Sequence, residues 1–176
     1  IYDTWNAAIE MSTGEFITNV NCDDRRPVMA YEEQAKILFS SPDIDLVYND
    51  SYVSHEPNIM WEDIKSDTKR YNFDKFSKEA MLRGNLPHNN PMWKKNLHDR
   101  FGTFEGKYGF AGDWEFWLRC AFGGAKFEKI NQVLGVYYFN PVGISTNKET
   151  ESSKKKEEFE IFKKYQKLFL ELKQEE

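Results

Sequence analysis

Between Tyr2 and Tyr48 the chain alternates between helical and strand periodicity, and that alternation limits its architecture more than any other feature. Trp5, Ala8 and Ile9 share one face of a helix over Tyr2–Met11, which Ser12-Thr13-Gly14 stops. Glu15-Phe16-Ile17-Thr18-Asn19-Val20 alternates and reads as a strand. Pro27 suits the first turn of a helix over about 28–39. Ser41-Pro42-Asp43 breaks it, and Ile44-Asp45-Leu46-Val47-Tyr48 reads as the next strand. Helix, strand, helix, strand at this spacing predicts an α/β domain with an at least partly parallel sheet.

Residues 55–74 are polar and irregular, as expected of a connecting excursion or flap. A short helix is predicted over 73–83, closed by Gly84. The stretch 86–104 is punctuated by Pro87 and Pro91, with Met92-Trp93 expected to be buried, a turn or two of helix in 94–101, and Gly102 as its end. A helix over 113–122 ends at Gly123-Gly124, and 126–130 and 133–139 read as two strands before the turn at Asn140-Pro141-Val142-Gly143. From Glu151 the composition changes to seven Lys and seven Glu, with Phe159, Phe162, Tyr165, Phe169 and Leu172 at helical spacing. This amphipathic helix either packs on the domain or pairs with a partner helix. The division expected is therefore a domain over 1–146 and a C-terminal helix over 147–176.

With 176 residues there is room for one ordinary domain. Lys and Arg number 24 against 29 Asp and Glu, a formal charge of −5, which argues against a nucleic-acid binder. No apolar run approaches the roughly 20 residues of a membrane-spanning helix. Cys22 and Cys120 lie far apart with no CxxC or Cys/His spacing, so neither a zinc site nor a disulfide framework is expected, and a reducing, cytoplasmic setting fits. Aromatics make up 16% of the residues, enough for a core and suited also to covering sugar rings. The chain opens Ile1-Tyr2-Asp3 with neither Met nor a signal-peptide pattern, so a piece of a longer or processed protein is expected.

Three constellations bear chemistry. Asn21-Cys22-Asp23-Asp24 follows a predicted strand, and ligands in open α/β sheets bind beyond the carboxyl ends of strands. Two adjacent carboxylates there suit Mg²⁺ or Mn²⁺, which take one or two protein carboxylates and fill the rest from phosphates and water. The same acids also suit a solvated turn in which Asp24 caps the next helix. Asp113 opens a predicted helix beside Trp114 and Trp117; it reads as a first-turn acid favoured by the helix dipole or as a desolvated general base. Glu115 and Arg119 form an i, i+4 pair. His88, in Pro87-His88-Asn89-Asn90-Pro91, is a lone turn histidine without metal-ligand spacing to His55 or His98. Arg25, Arg26 and Lys94 can approach phosphate or stand as solvated charge, and Trp93 and Trp114 can stack on sugar or fill the core.

Taken in order, Gly14-Glu15-Phe16-Ile17, Asn21-Cys22-Asp23-Asp24, Pro91-Met92-Trp93-Lys94, Gly102-Thr103-Phe104, Gly112-Asp113-Trp114-Glu115-Phe116-Trp117-Leu118-Arg119 and Leu134-Gly135-Val136-Tyr137-Tyr138 resemble the family 2 nucleotide-sugar glycosyltransferases. The resemblance runs from residue 1 to about Thr146 and matches the C-terminal two thirds of that domain. It implies the GT-A fold, a Rossmann-like mixed sheet flanked by helices, with the N-terminal βαβ portion that holds nucleobase and ribose missing here. It further implies an inverting transfer of sugar from a nucleotide-diphosphate donor, UDP above all, to a hydroxyl of a glycan acceptor, as in polysaccharide biosynthesis.

On that resemblance Asp23 and Asp24 hold Mn²⁺ or Mg²⁺ against the donor diphosphate, with Arg25 beside them among the donor contacts. Asp113 matches the catalytic base, and Trp93 and Trp114 are candidate sugar contacts. Two departures stand out: Asn21 replaces the usual first acid, and Gly112 replaces the acid that precedes the base. The expected setting is cytoplasmic, with the inner face of the membrane as a peripheral location, and the C-terminal helix is a candidate oligomer contact. Weak donor binding and even inactivity follow if the front segment is absent. Two other readings remain open: a metal-dependent phosphohydrolase or nucleotidyltransferase using Asp23 and Asp24, and a non-catalytic carbohydrate-binding or assembly module.

Overall fold

The computed structural model describes residues 1–175; Glu176, the last residue of the predicted C-terminal segment, lies outside them. The elements are α1 (Tyr2–Met11), β1 (Phe16–Thr18), α2 (Ala30–Ser40), β2 (Leu46–Ser54), β3 (Arg70–Tyr71), α3 (Lys78–Arg83), β4 (Met92–Lys94), α4 (Leu97–Phe101), α5 (Gly112–Phe122), β5 (Phe127–Tyr138) and α6 (Glu151–Glu175). A single 3₁₀ turn at Trp61–Asp63 interrupts the 55–74 excursion, which β3 closes.

The sheet is mixed. β1 and β4 run antiparallel with Ile17 opposite Trp93, and β4 is antiparallel to β2 with Val47 opposite Met92. β3 joins the same edge of β2 further along, Ser51 facing Tyr71, while β5 lies parallel on the other edge from Leu46–Phe127 to Ser54–Tyr138. Two antiparallel steps leave β1 parallel to β2, so β1, β2 and β5 all point their carboxyl ends to one edge of the sheet. β4 enters from that edge and brings the 85–91 segment with it. This is the edge at which such sheets bind ligands.

Strand alternation divides the core between two faces. Val47, Met92, Ile130 and Leu134 meet Leu38 of α2 on one side. Leu46, Tyr48, Trp93 and Phe127 meet Phe104, Phe116, Trp117 and Leu118 on the other. Leu46, Val47 and Tyr48 are fully buried because both faces of β2 are covered.

Three expectations change. The strands predicted at 126–130 and 133–139 are one, because β2 continues the pairing across an irregularity: Asn49 faces Ile130 and Asp50 faces Val133, leaving Asn131 and Gln132 as the extra residues. The second strand, predicted to end at Tyr48, runs on to Ser54, since β5 and β3 together satisfy its polar Asn49-Asp50-Ser51 stretch. The helix predicted over 73–83 begins only at Lys78, where the Ser77 hydroxyl accepts the Ala80 N–H at 3.0 Å.

α6 packs on its own domain. Ile161 and Tyr165 belong to the larger core cluster, at 0% and 2% exposure. The fully buried carboxylate of Glu115 accepts from Tyr165 Oη at 2.7 Å, Lys164 Nζ at 3.0 Å and Arg119 Nη2 at 2.8 Å, which meets the requirement that a buried charge be paired and hydrogen-bonded. Glu157 accepts the backbone N–H groups of Gly109, Phe110 and Ala111, fastening the segment that leads into α5. Phe159 and Leu170 remain more than half exposed. Ile161→Ala should destabilise the domain by about 2–4 kcal/mol through the cavity it opens. Phe159→Ser should stay within about 0.5 kcal/mol. Urea unfolding of the two variants measures the contrast.

Candidate functional site

The loop after β1 supplies the first acids. Asp24 is 4% exposed and both its carboxylate oxygens are engaged: Oδ1 accepts the Tyr138 N–H at 3.0 Å, and Oδ2 accepts Asn21 Nδ2 at 2.8 Å and Asn89 Nδ2 at 3.2 Å. Burial raises its pKa, and those three donors pull it back. Arg25 extends the attachment by exchanging backbone hydrogen bonds with Val136 at 3.1 and 2.8 Å. Asp23, by contrast, is only half-buried. Its Oδ2 accepts from Asn140 Nδ2 at 3.3 Å, and Oδ1 accepts nothing among the described residues.

Asp23 is the more accessible of the two carboxylates, and its free oxygen fits a hard cation whose shell phosphate oxygens and water would complete. Asp24, expected as a second ligand, spends three acceptor positions of its carboxylate on those N–H donors, which hold the loop in shape. Among the described residues no group of three or more His, Cys, Asp or Glu converges on a metal position. The asparagine that replaces the first acid, Asn21, has its own use, donating to Asp24.

At the other side of the site α5 begins with Gly112 and Asp113. Tyr2 Oη donates to Asp113 Oδ1 at 3.1 Å and Asn85 Nδ2 donates to Oδ2 at 2.7 Å. Burial raises the Asp113 pKa from its ordinary value, opposed by Asn85, the Trp114 backbone and Tyr2. Gly112 stands in place of an acid for a steric reason: a Cβ there would lie 2.6 Å from the Tyr2 ring. The tyrosine that donates to Asp113 thus occupies the room a side chain at 112 would need.

One segment joins the two sides. Asn85 donates to Asp113 through Nδ2 and accepts the His88 N–H through Oδ1 at 3.3 Å. His88 Nδ1 lies 3.1 Å from Asn89 Oδ1, and Asn89 Nδ2 reaches Asp24. Asp24 and Asp113, distant in sequence, are the ends of one hydrogen-bonded relay through 85–89. Beneath it, Gln34 Nε2 donates to Asn49 Oδ1 and the Asn90 carbonyl, and Asn90 Nδ2 donates to Ser51 Oγ. Burial lowers the His88 pKa, against the pull of Asn89, Asp113 and Asp24.

Several expected contacts lie elsewhere. Trp93 is 1% exposed, donates to His98 Nε2 at 3.0 Å and packs edge-on against Trp117; its ring is core, because β4 is flanked on both edges. Trp114, 8% exposed, spends its indole N–H on the Met81 carbonyl. Neither ring is open to a sugar. Arg25 is committed to the carbonyls of Cys22 and Asp24 and to Asn58 Oδ1. Arg26 grips Thr18, Asn19 and Asn89 and lies against Tyr31, with burial lowering its pKa to about 10. Lys94 points to the Pro42 carbonyl, at the opposite edge of the sheet from Asp23. Sequence reasoning missed Tyr2, Asn85 and Asn89; the one available signal was the run Asn85-Leu86-Pro87-His88-Asn89-Asn90, too rich in side-chain amides for an ordinary turn.

These features define the chain as a mixed α/β domain of the GT-A type, and solved structures share it. S. aureus TarS 1–349 in complex with UDP-GlcNAc superposes with a TM-score of 0.60 at 12% identity, over 80% of this chain and 39% of that one. The mannosyltransferase PcManGT from Pyrobaculum calidifontis, in complex with GDP-Man and Mn²⁺, gives 0.54 at 16% identity over 82% of this chain and 38% of that one. Among curated proteins the chain is 25% identical over 132 residues to an uncharacterized glycosyltransferase, MJ1057, of Methanocaldococcus jannaschii, covering 75% of this chain and 44% of the relative. The chain thus spans less than half the length of these relatives. No protein-family model matches it. The likeness in fold to these solved structures extends over about four fifths of the chain.

The two neighbouring acids should separate cleanly. Asp24→Ala strands three N–H donors, one buried and two partly buried, and should destabilise by about 2–4 kcal/mol. Asp23→Ala should cost no more than about 0.5 kcal/mol, and a reversed order in urea unfolding would refute the assignment.

Proposed function

We propose that this chain carries the diphosphate-binding and base-bearing parts of an inverting glycosyltransferase that moves a sugar from a nucleoside-diphosphate donor to an acceptor hydroxyl. The observation that carries this reading is the relay through 85–89, which ties the loop of Asp23 and the carboxylate of Asp113 to the same edge of a GT-A-type sheet. UDP-sugars and GDP-sugars are the donor classes to try first, as those named for the structural neighbours.

Asp113 performs the proton transfer. It takes the hydrogen of the acceptor O–H while that oxygen attacks the anomeric carbon, and the carbon–oxygen bond to the diphosphate breaks on the opposite face, inverting the configuration. Tyr2 and Asn85 fix the plane of the carboxylate, so its remaining lone pairs face the acceptor rather than rotating freely. Desolvation makes Asp113 a stronger base than an exposed aspartate. A divalent cation held by Asp23 would supply positive charge where the departing diphosphate gains negative charge.

Thermal unfolding with UDP-GlcNAc, UDP or GDP-mannose, each with and without Mn²⁺, tests the reading. A ligand at about 100 times its Kd adds about 2.7 kcal/mol, or roughly 5–10 °C in a domain of this size. That shift should need Mn²⁺, vanish in Asp23→Ala and survive in Asp113→Asn, which should abolish transfer. A shift independent of metal, or none with any nucleotide, would overturn it. For an active pairing, log(kcat/KM) should rise with pH as Asp113 ionises, with its midpoint above the ordinary aspartate value of about 3.9.

A further inference from the structure

His88 stands in the segment that touches both acids, and proton transfer from the acceptor leaves it unused. Its tautomer is dictated from a distance. The Asp24 carboxylate, holding three N–H donors, can only accept, so Asn89 must turn its Nδ2 toward it. Asn89 Oδ1 then faces away from Asp24, where it accepts from Ser51 Oγ at 3.0 Å and meets His88 Nδ1 at 3.1 Å. Asn90 Nδ2 donates to the Ser51 oxygen, which leaves the hydroxyl hydrogen for Asn89. An amide oxygen offers no proton, so Nδ1 carries the hydrogen and neutral His88 keeps a bare lone pair on Nε2.

Nε2 has no protein partner among the described residues, and it is not sealed in the interior. The ring is held between Tyr71, Phe73 and Tyr137 at centroid distances of 5.4, 5.4 and 5.0 Å. Its backbone sits at φ 45°, in the left-handed region that few non-glycine residues adopt. This is a well-built support for a single hydrogen-bond acceptor.

We propose that His88 Nε2 accepts a hydrogen bond from a hydroxyl of the sugar being transferred, and so selects the donor by the configuration of that hydroxyl. This rests on the glycosyltransferase reading. With diphosphate on the Asp23 side and acceptor on the Asp113 side, the transferred sugar lies between them, where the 85–89 segment offers its acceptor atom. Hydroxyls are what that part of the donor presents, and only Nε2 of the segment is free to take one through a ring.

Two measurements decide it. ¹⁵N-edited NMR of the histidine side chains should find the His88 proton on Nδ1 and Nε2 bare; a proton on Nε2 overturns the proposal whatever the enzyme does. In calorimetric titrations with Mn²⁺, UDP-GlcNAc is compared with UDP and GDP-mannose with GDP, in the wild type and in His88→Asn. Asparagine tolerates positive φ and keeps a donor toward Asn89 while removing the Nε2 acceptor. The variant should bind the bare nucleotide within twofold of wild type and the nucleotide-sugar about tenfold more weakly. Equal weakening of both, or of neither, refutes a sugar contact. If the wild type binds none of the four, the glycosyltransferase reading fails and this contact with it.

Discussion

The carboxylate of Asp24 organises the site. It lies almost wholly inside the protein, where an unpaired charge would be prohibitive, and three N–H donors from three separate parts of the chain converge on it: Asn21 from its own loop, Tyr138 from the end of β5 and Asn89 from the approach to β4. Asp23 is presented outward because its neighbour is pinned inward. The amide of Asn89 is oriented, and through it His88, Asn85 and Asp113.

Much of the scaffold was legible in the sequence because periodicity and breakers act locally. The helix over Tyr2–Met11 and the abrupt stop at Gly123-Gly124 follow from neighbours a turn away. Leu46-Val47-Tyr48 announced a strand, and the fold covers both its faces. Pairing across strands is not local, and there the reading erred: Asn131-Gln132 looked like a break, but a partner strand already in place carries β5 over it.

The site was half legible. Asp23 and Asp113 drew notice as acids at the ends of elements, but adjacency gave no way to distinguish Asp23 from Asp24; only the converging donors do. Trp93 and Trp114 illustrate the reverse error. Aromatic character suits sugar faces and cores equally, and the sheet's central position for Trp93 decides for the core. Tyr2 was invisible as a functional residue because its partner is brought to it by the fold alone, and the glycine at 112 that makes room for its ring looked merely like a missing acid.

Glu157 gathers the backbone amides of Gly109, Phe110 and Ala111 from within α6. Those amides lead directly into the first turn of α5, so the orientation of Asp113 is tethered to the last helix of the chain. The tail acts as a mechanical brace for chemistry it never meets. Any event that lifts α6 from its seat would loosen Asp113 at a distance, without altering either of the side chains that donate to it.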